Sequence, residues 1–381
     1  MLNVAYSEIM MKGGNRRLFV QSLVDNMLAS LSSLAKFKAK RLQGRVILTS
    51  EQPYDSEAAM KILSRTFGVS HVSAPMEAKK DIADIEKAVL TKAPALKGKK
   101  IKVATLRSDK AFPMKSQEIN TVIGKALVDA GCGVDLKNPE ATVFVEILKD
   151  KALIFTEKLR GPGGLPIGSS GRLLSLLSGG IDSPASSWLM MKRGCTLDFL
   201  HLHQSASNKD VVETKMKDIL SSLARYSPKP LKLYTAPYME FYKKTMEVKP
   251  RIELILFKRF LFHLSNRLAE KRYWGVVTGD SVGQVASQTL GNLFASDEAS
   301  SIPVYRPLAG YNKQEIVDLA KKIGTYELSI KPYKDCCSLV AHKSPSTKVP
   351  LALAKKAEEE MGMQDIVDKT LEQTEVFEVT S

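Results

Sequence analysis

The chain has 381 residues, a length that suits two or three domains. Hydrophobic residues make up 44% and charged residues 25%, ordinary values for a globular protein with a sizeable core. The 56 Lys and Arg against 41 Asp and Glu leave a formal charge of +15, which favours polyanionic partners through phosphate attraction and counterion release.

No apolar run approaches the ~20 residues that span a bilayer, and the first residues lack the order of charge, apolar run and cleavage site of a signal peptide. Cys132, Cys195, Cys336 and Cys337 show no disulfide-framework spacing, which suits a reducing cytosol. The expectation is a cytoplasmic protein with no membrane association.

In chain order, residues 2–6 read as a strand, Lys12-Gly13-Gly14 as a basic turn, and Asn15 as the cap of a helix reaching residue 31. A strand at 46–49, a helix at 56–66 stopped by Gly68 and an extended segment at 69–73 complete a small α+β unit, placed at 1–74. After Pro75 come a helix capped by Asp81, a strand at 101–106 and a helix from Ser116 to Gly131-Cys132-Gly133. Strands 142–148 and 152–156, joined by a charged hairpin, close a second unit at 75–160. The GPGGLPIGSSG run at 161–171 is the clearest linker. From 172 to 381 strands alternate with helices: strands at 172–177, 197–202, 231–234 and 274–278, helices at 183–191, 210–223 and 251–270. This pattern predicts a parallel sheet covered on both faces, followed by a helical 351–361 and an acidic tail.

The segment Ser178-Gly179-Gly180-Ile181-Asp182-Ser183 directly follows one of these strands and opens a helix. Such a turn offers unpaired N–H groups and the positive end of the helix dipole to an anion, and its glycines let phosphate approach the main chain. It is not the Walker pattern, because no Gly-Lys-Ser/Thr follows. The plain alternative is a glycine turn with a capping Ser and Asp. Leu177 through Ser183 are therefore the first phosphate-binding candidates. His203, at the end of the second strand, and Arg259 with Lys258, on the long helix, are further candidates by position. The alternatives for them are a buried structural histidine and a polar helix face.

The Ser178–Ser183 run resembles the pyrophosphate loop of the N-type ATP pyrophosphatases, which adenylate a carbonyl oxygen and release pyrophosphate. Flanking motifs narrow the resemblance: Gly279-Asp280-Ser281-Val282-Gly283-Gln284, Ser287-Gln288-Thr289, Arg306-Pro307-Leu308, Ile323-Gly324-Thr325 and Asp335-Cys336-Cys337. With Glu8 to Arg17, Arg107 to Phe112 and Val134 to Pro139, they are similar to the tRNA 4-thiouridine synthetase (ThiI) family along nearly the whole chain. The resemblance implies a multidomain α/β architecture: an N-terminal ferredoxin-like α+β domain, a THUMP domain, and a parallel-sheet, adenine-nucleotide α-hydrolase-like (PP-loop) catalytic domain at 172–381.

It also implies a tRNA uracil 4-sulfurtransferase using ATP and Mg2+. Asp182 would help hold magnesium and pyrophosphate; Gly279, Gln284 and Ser287 would border the nucleotide or the target base. Cys337 would carry a persulfide that attacks C4 of adenylated uridine 8, with Cys336 beside it. Lys12, Arg16, Arg17, Lys99, Lys100, Arg107, Lys110 and Lys115 concentrate charge in loops that can follow an RNA backbone, Asn15 is a further RNA-binding candidate beside them, and Phe112 can stack on a base. The alternative there is a solvated basic face and a core phenylalanine.

Longer members of the family continue into a rhodanese domain that delivers the persulfide. This chain stops at Ser381, so sulfur is expected from a cysteine desulfurase, a separate rhodanese or sulfide, and thiazole (thiamine) synthesis loses support. An iron–sulfur cluster stays open as an alternative, with Cys195 joining Cys336 and Cys337 if the fold brings it close. No resident metal ligand is assigned, and the resemblance suggests a homodimer. The competing readings are adenylation of another nucleotide or a non-RNA acceptor, and a THUMP RNA-binding protein with a silent loop.

Overall fold

The computed structural model describes residues 1–245, 251–270, 272–333, 336 and 345–381. By internal contacts the chain divides into two units. One comprises Met1–Met10, Leu31–Arg65 and Val69–Pro162; the other comprises Met11–Ser30, Thr66–Gly68 and Gly163–Ser381.

Strands of the first unit are β1 (Leu2–Ala5), β2 (Lys38–Leu42), β3 (Arg45–Thr49), β4 (His71–Ser73), β5 (Met76–Lys79), β6 (Lys100–Arg107), β7 (Gly133–Val134), β8 (Ala141–Ile147), β9 (Lys151–Phe155) and β10 (Leu159–Arg160). They form two sheets, ordered β10-β4-β1-β3-β2 and β5-β9-β8-β6-β7. The apolar β1 is central, whereas β2, Lys-Ala-Lys-Arg-Leu, is a charged edge strand of the kind that resists further pairing. Asp55 and Asp81 cap the helices Ser56–Leu63 and Ile82–Leu90 by accepting two backbone N–H bonds each. On Ser116–Asp129, Ile119, Ile123 and Leu127 recur at helical spacing and pack with Ile85 and Val89 over the second sheet. A buried ion pair, Arg45 on β3 with Glu146 on β8, joins the two sheets, and Asn3 Nδ2 donates to the same carboxylate at 3.2 Å.

The second unit carries β11 (Arg172–Leu176), β12 (Thr196–His203), β13 (Leu231–Pro237), β14 (Val276–Val277), β15 (Val304–Tyr305) and β16 (Glu375–Val379), ordered β15-β14-β11-β12-β13-β16. The predicted parallel sheet is present, with one difference: the acidic tail folds as β16 and pairs antiparallel with β13. Successive side chains alternate between two cores. Leu174, Leu200, Leu202 and Ala236 face Phe257 and Phe260 of the helix Glu253–Ala269. Leu173, Leu197, Phe199 and Leu233 face Trp188, Ile219 and Leu223 on the other side. Strand order runs outward from β11 to β12 and β13, and from β11 the other way to β14 and β15. The chain thus reverses beside β11, and ligands of open α/β sheets bind beyond the carboxyl ends of strands at such a point.

Two short N-terminal stretches belong to this second unit. Phe67 packs edge-on against Trp188 at 5.3 Å and stacks on Tyr226 at 5.6 Å. Asn26 Nδ2 donates to the carbonyl of Ile167 at 3.0 Å. No helix among the described residues is long and apolar enough to cross a membrane.

Candidate functional site

The site begins where β11 ends. Leu177 to Ile181 form a turn into the helix Asp182–Lys192, whose first turn has no side-chain cap. An uncapped helix start leaves N–H donors and the positive dipole end for a ligand. The two serines shape this turn from within. Ser178 N–H donates to Ser183 Oγ at 2.9 Å, and the Ser183 hydroxyl lies 3.2 Å from both Ser178 Oγ and the Ser178 carbonyl oxygen. Gly180 N–H donates to Ser178 Oγ at 3.3 Å.

The turn is held against its surroundings at the first of its two glycines. A Cβ on Gly179 would lie 2.9 Å from Tyr333 Cδ1 and 3.0 Å from Lys215 Cε. The first turn of the helix is held just as closely by Gly279, beyond β14, whose Cβ would fall 2.8 Å from the backbone nitrogen of Ser183. At the front of the loop, Asp182 Oδ1 accepts from Lys313 Nζ at 3.0 Å and Oδ2 from Gln284 Nε2 at 3.1 Å. Behind it, the buried His201 donates from Nδ1 to the Leu177 carbonyl at 2.9 Å, since a carbonyl only accepts, and its Nε2 meets Tyr333 OH at 2.8 Å.

The loop opens into a cavity of ≈ 420 Å³. One wall is apolar, with Leu176, Leu200, Leu202, Leu254 and Phe257; Asp280, Lys258 and Gln288 form the polar part. Asp280 is buried and accepts from Lys258 Nζ at 2.7 Å, Thr278 Oγ1 at 2.9 Å, Arg306 Nε at 3.3 Å and Gln288 Nε2 at 3.3 Å. Burial by itself would raise the Asp280 pKa; Lys258 and Arg306 outweigh it and hold the carboxyl below its usual range. With the Gln288 amide nitrogen thus engaged, its oxygen is left as an acceptor. The side-chain oxygens of Gln284 and Gln288 are buried and have no partner among the described residues. Both call for an N–H or O–H donor from a ligand. Cys336 also lines the cavity, its thiol donating to the Leu202 carbonyl at 3.3 Å.

The cavity thus brings together Leu177, Ser178, Asp182, Ser183, Gly279 and Cys336 of the expected residues, with Gly179, Gly180 and Ile181 in the same loop and Gln284 on Asp182. Cys337 lies outside the described residues, as do Lys334, His342 and Lys343.

Three expectations are corrected. Arg259 is 2% exposed and turns away from the loop, donating to the Ala295 carbonyl, to Glu298 at 3.0 Å and to Glu358 at 2.7 Å. Its neighbour Lys258 reaches the cavity instead, because adjacent helical residues project about 100° apart. His203 is buried outside the cavity lining; Ser205 N–H donates to its Nδ1 and its Nε2 donates to Asn208, while burial pushes its pKa down. Cys195 cannot share a cluster with Cys336. It precedes β12, and Cys336 bonds Leu202 near that strand's far end, roughly 20 Å along at ~3.3 Å per residue. Among the described residues no group of three His, Cys, Asp or Glu could hold a metal ion.

The RNA candidates divide between the two units. In the second unit, Asn15 and Arg17 are exposed at the start of the helix Arg16–Ser30, Arg16 is half-buried, and Lys12 lies 5.1 Å over the Phe19 ring. In the first, Lys110 and Lys115 are exposed, as are Lys99 and Lys100. Arg107 staples its own loop by donating to the carbonyls of Met114 at 2.6 Å and Lys110 at 2.8 Å. Phe112 is a core residue, 5% exposed among Ile119, Val143 and Ile147, so its ring is closed to base stacking. Sequence reasoning missed Lys313, Lys215, His201 and Tyr333, which lie far from the loop along the chain and carry no local signal.

The sequence comparisons agree with this arrangement. The profile described as "Thiamine biosynthesis protein (ThiI)" matches residues 168–363, the ThiI ferredoxin-like domain 1–73 and the THUMP domain 79–157. A "Probable tRNA sulfurtransferase" of Caldanaerobacter subterraneus subsp. tengcongensis is 36% identical over 99% of both chains, and one of Moorella thermoacetica is 37% identical over 99% of this chain and 97% of its own. Among solved structures, a 4-thiouridine synthetase in complex with RNA and bound ATP superposes with a TM-score of 0.85 at 31% identity, covering 99% of each chain. A ferredoxin-like N-terminal domain, a THUMP domain and a PP-loop α/β domain follow one another in the same order over the full length, and the chain belongs to the ThiI family.

Proposed function

We propose that this protein is an ATP-dependent tRNA sulfurtransferase that adenylates uridine 8 at O4 and replaces that oxygen with sulfur, giving 4-thiouridine. The observation that carries the reading is the uncapped helix start at Asp182, which faces a cavity shared with Cys336 and with Gln288, whose buried amide oxygen has no partner among the described residues. The likeness to an ATP-bound, RNA-bound 4-thiouridine synthetase supports it.

In this reading N–H groups at the start of the helix at Asp182 bind the β- and γ-phosphates, and Lys313 adds positive charge beside them. Asp182 fits a magnesium site: one carboxylate, with phosphate oxygens and water completing six ligands, is how Mg2+ is usually held. That ion would neutralise phosphate charge. The apolar wall accepts adenine, and the Gln288 and Gln284 oxygens accept N–H groups of the bound bases. The uracil O4 displaces pyrophosphate at the α-phosphorus as N3 gives up its proton. A persulfide on Cys337 then attacks C4; the C–S bond forms, and AMP leaves with the electron pair of the C4–O bond. A thiol next opens the S–S bond, freeing the 4-thio base and leaving a disulfide. Cys336 is the nearest described thiol, and a cysteine desulfurase, which hands on sulfane sulfur, is the proposed source of the persulfide; free sulfide would instead attack C4 directly, with AMP as the leaving group. The exposed Asn15, Arg17, Lys110 and Lys115 are proposed to hold the tRNA in the cytoplasm.

The test is to incubate the protein with ATP, Mg2+, unmodified tRNA and a desulfurase with cysteine, and to map the thiolated position. Sulfur at position 8, lost in Cys337→Ser, is the expected result. Thiolation elsewhere, or full activity in Cys337→Ser, rejects the corresponding assignment.

A further inference from the structure

We infer that Tyr333 and Lys215 are positioning residues that tie the chain entering the cysteine pair to the phosphate loop, so that the loop sets where sulfur is presented. The inference rests on the proposed function and adds a coupling between its two steps.

Five contacts converge on this short strap. Lys215, at the start of the helix Lys215–Ala224, donates from Nζ to the carbonyls of Ser329 at 2.8 Å and Lys331 at 2.7 Å. The same ammonium lies 5.4 Å over the Tyr333 ring. The ring edge abuts the loop, since a Cβ on Gly179 would come within 2.9 Å of it. The Tyr333 hydroxyl meets His201 Nε2 at 2.8 Å, and the opposite ring nitrogen of that histidine donates to Leu177, the residue that begins the loop. His201 is 1% exposed, so this bridge is shielded from competing water.

Cys336 follows three residues after Tyr333, within roughly 10 Å of extended chain. Its thiol is already anchored at the cavity by the Leu202 carbonyl. The strap therefore holds the chain that leads into Cys336 against the loop at Gly179 and, through His201, at Leu177. Sulfur transfer needs its nucleophile placed within a few tenths of an ångström, whereas adenylation involves only nucleotide, loop and base. Loosening the strap should thus separate the two steps.

The experiment uses the full chain with tRNA and measures two quantities: tRNA-dependent pyrophosphate release without a sulfur donor, and 4-thiouridine formed per pyrophosphate with one. Tyr333→Phe keeps the ring against Gly179 and removes the hydroxyl. Pyrophosphate release is expected within twofold of wild type, and 4-thiouridine per pyrophosphate is expected to fall roughly three- to tenfold, the worth of one hydrogen bond. Lys215→Met, which frees Ser329 and Lys331, should lower the same ratio. Equal loss of both quantities, or an unchanged ratio in both variants, overturns the coupling while leaving the proposed function standing. Wild-type protein that releases no pyrophosphate with tRNA overturns the proposed function, and the coupling with it.

Discussion

Replacing Gly279 by alanine should disable the phosphate loop by crowding its backbone, without removing any polar group of the cavity. Gly279 has no left-handed φ, so alanine is compatible with its backbone and the requirement is one of space. The added Cβ would lie 2.8 Å from Ser183 N, 3.0 Å from Asp182 C and 3.1 Å from Ser183 Cα. All three are main-chain atoms of the helix start and cannot swing aside. Restoring ordinary contact requires the two segments to part by about 0.5 Å, and overpacking of this kind costs roughly 1–3 kcal/mol. At ~2–4 °C per kcal/mol for a unit of this size, Tm should fall by about 2–12 °C. Displacement of the N–H donors should lower tRNA-dependent pyrophosphate release at least about tenfold, since sub-ångström errors in positioning are expensive. Gly291→Ala is the matched control: its Cβ would meet only Lys348 Cγ, at 3.5 Å, and activity should be unchanged. If Gly279→Ala matches wild type in both Tm and pyrophosphate release, the close approach of Gly279 to the loop does not constrain the site.

Arg259→Met should lower stability by about 3–5 kcal/mol, because Glu358 and Glu298 lose the buried guanidinium between them, while the KM for ATP stays within twofold; a selective rise in ATP KM would return Arg259 to the nucleotide site. Phe112→Ala should cost roughly 3–5 kcal/mol of first-unit stability in thermal unfolding, with tRNA affinity unchanged below the transition; a specific loss of affinity would argue for stacking. His71 is held neutral: burial first, then the neighbouring Lys158, push its pKa down to about 4. The unfolded chain takes up that proton near pH 6.5 and the folded one only near 4, so stability is full above pH 6.5 and declines as pH falls toward 4. Partial exposure limits the effect to roughly 1–2 kcal/mol, and His71→Gln should flatten this part of a Tm–pH profile; an unchanged slope would exclude His71 as its source.

The phosphate loop was legible in the sequence because strand, glycine turn and helix are contiguous, and local order is what a sequence displays. The apolar run of Leu173 to Leu177 and the caps at Asp55 and Asp81 are legible for the same reason. Edge strands were not. Lys38–Leu42 is too charged to look like a strand, and Glu375–Val379 passes for an acidic tail because only Val379 is fully buried. Which way a helical side chain points is also hidden: Lys258 and Arg259 are neighbours, yet one lines the cavity and the other braces Glu358. Phe112 and His203 carried plausible roles from position alone, and burial decided against both. Lys313 could not be found at all, since it reaches Asp182 across 131 residues of chain.

The most direct test of the account compares wild type with Asp182→Asn, following ATP consumption, pyrophosphate and 4-thiouridine in one reaction. Wild type should release one pyrophosphate for each thiolated tRNA, and only when RNA is present; the variant should bind tRNA normally and do neither. Sulfur incorporation with ATP omitted, or undiminished turnover in Asp182→Asn, would contradict the claim that this loop activates the base oxygen.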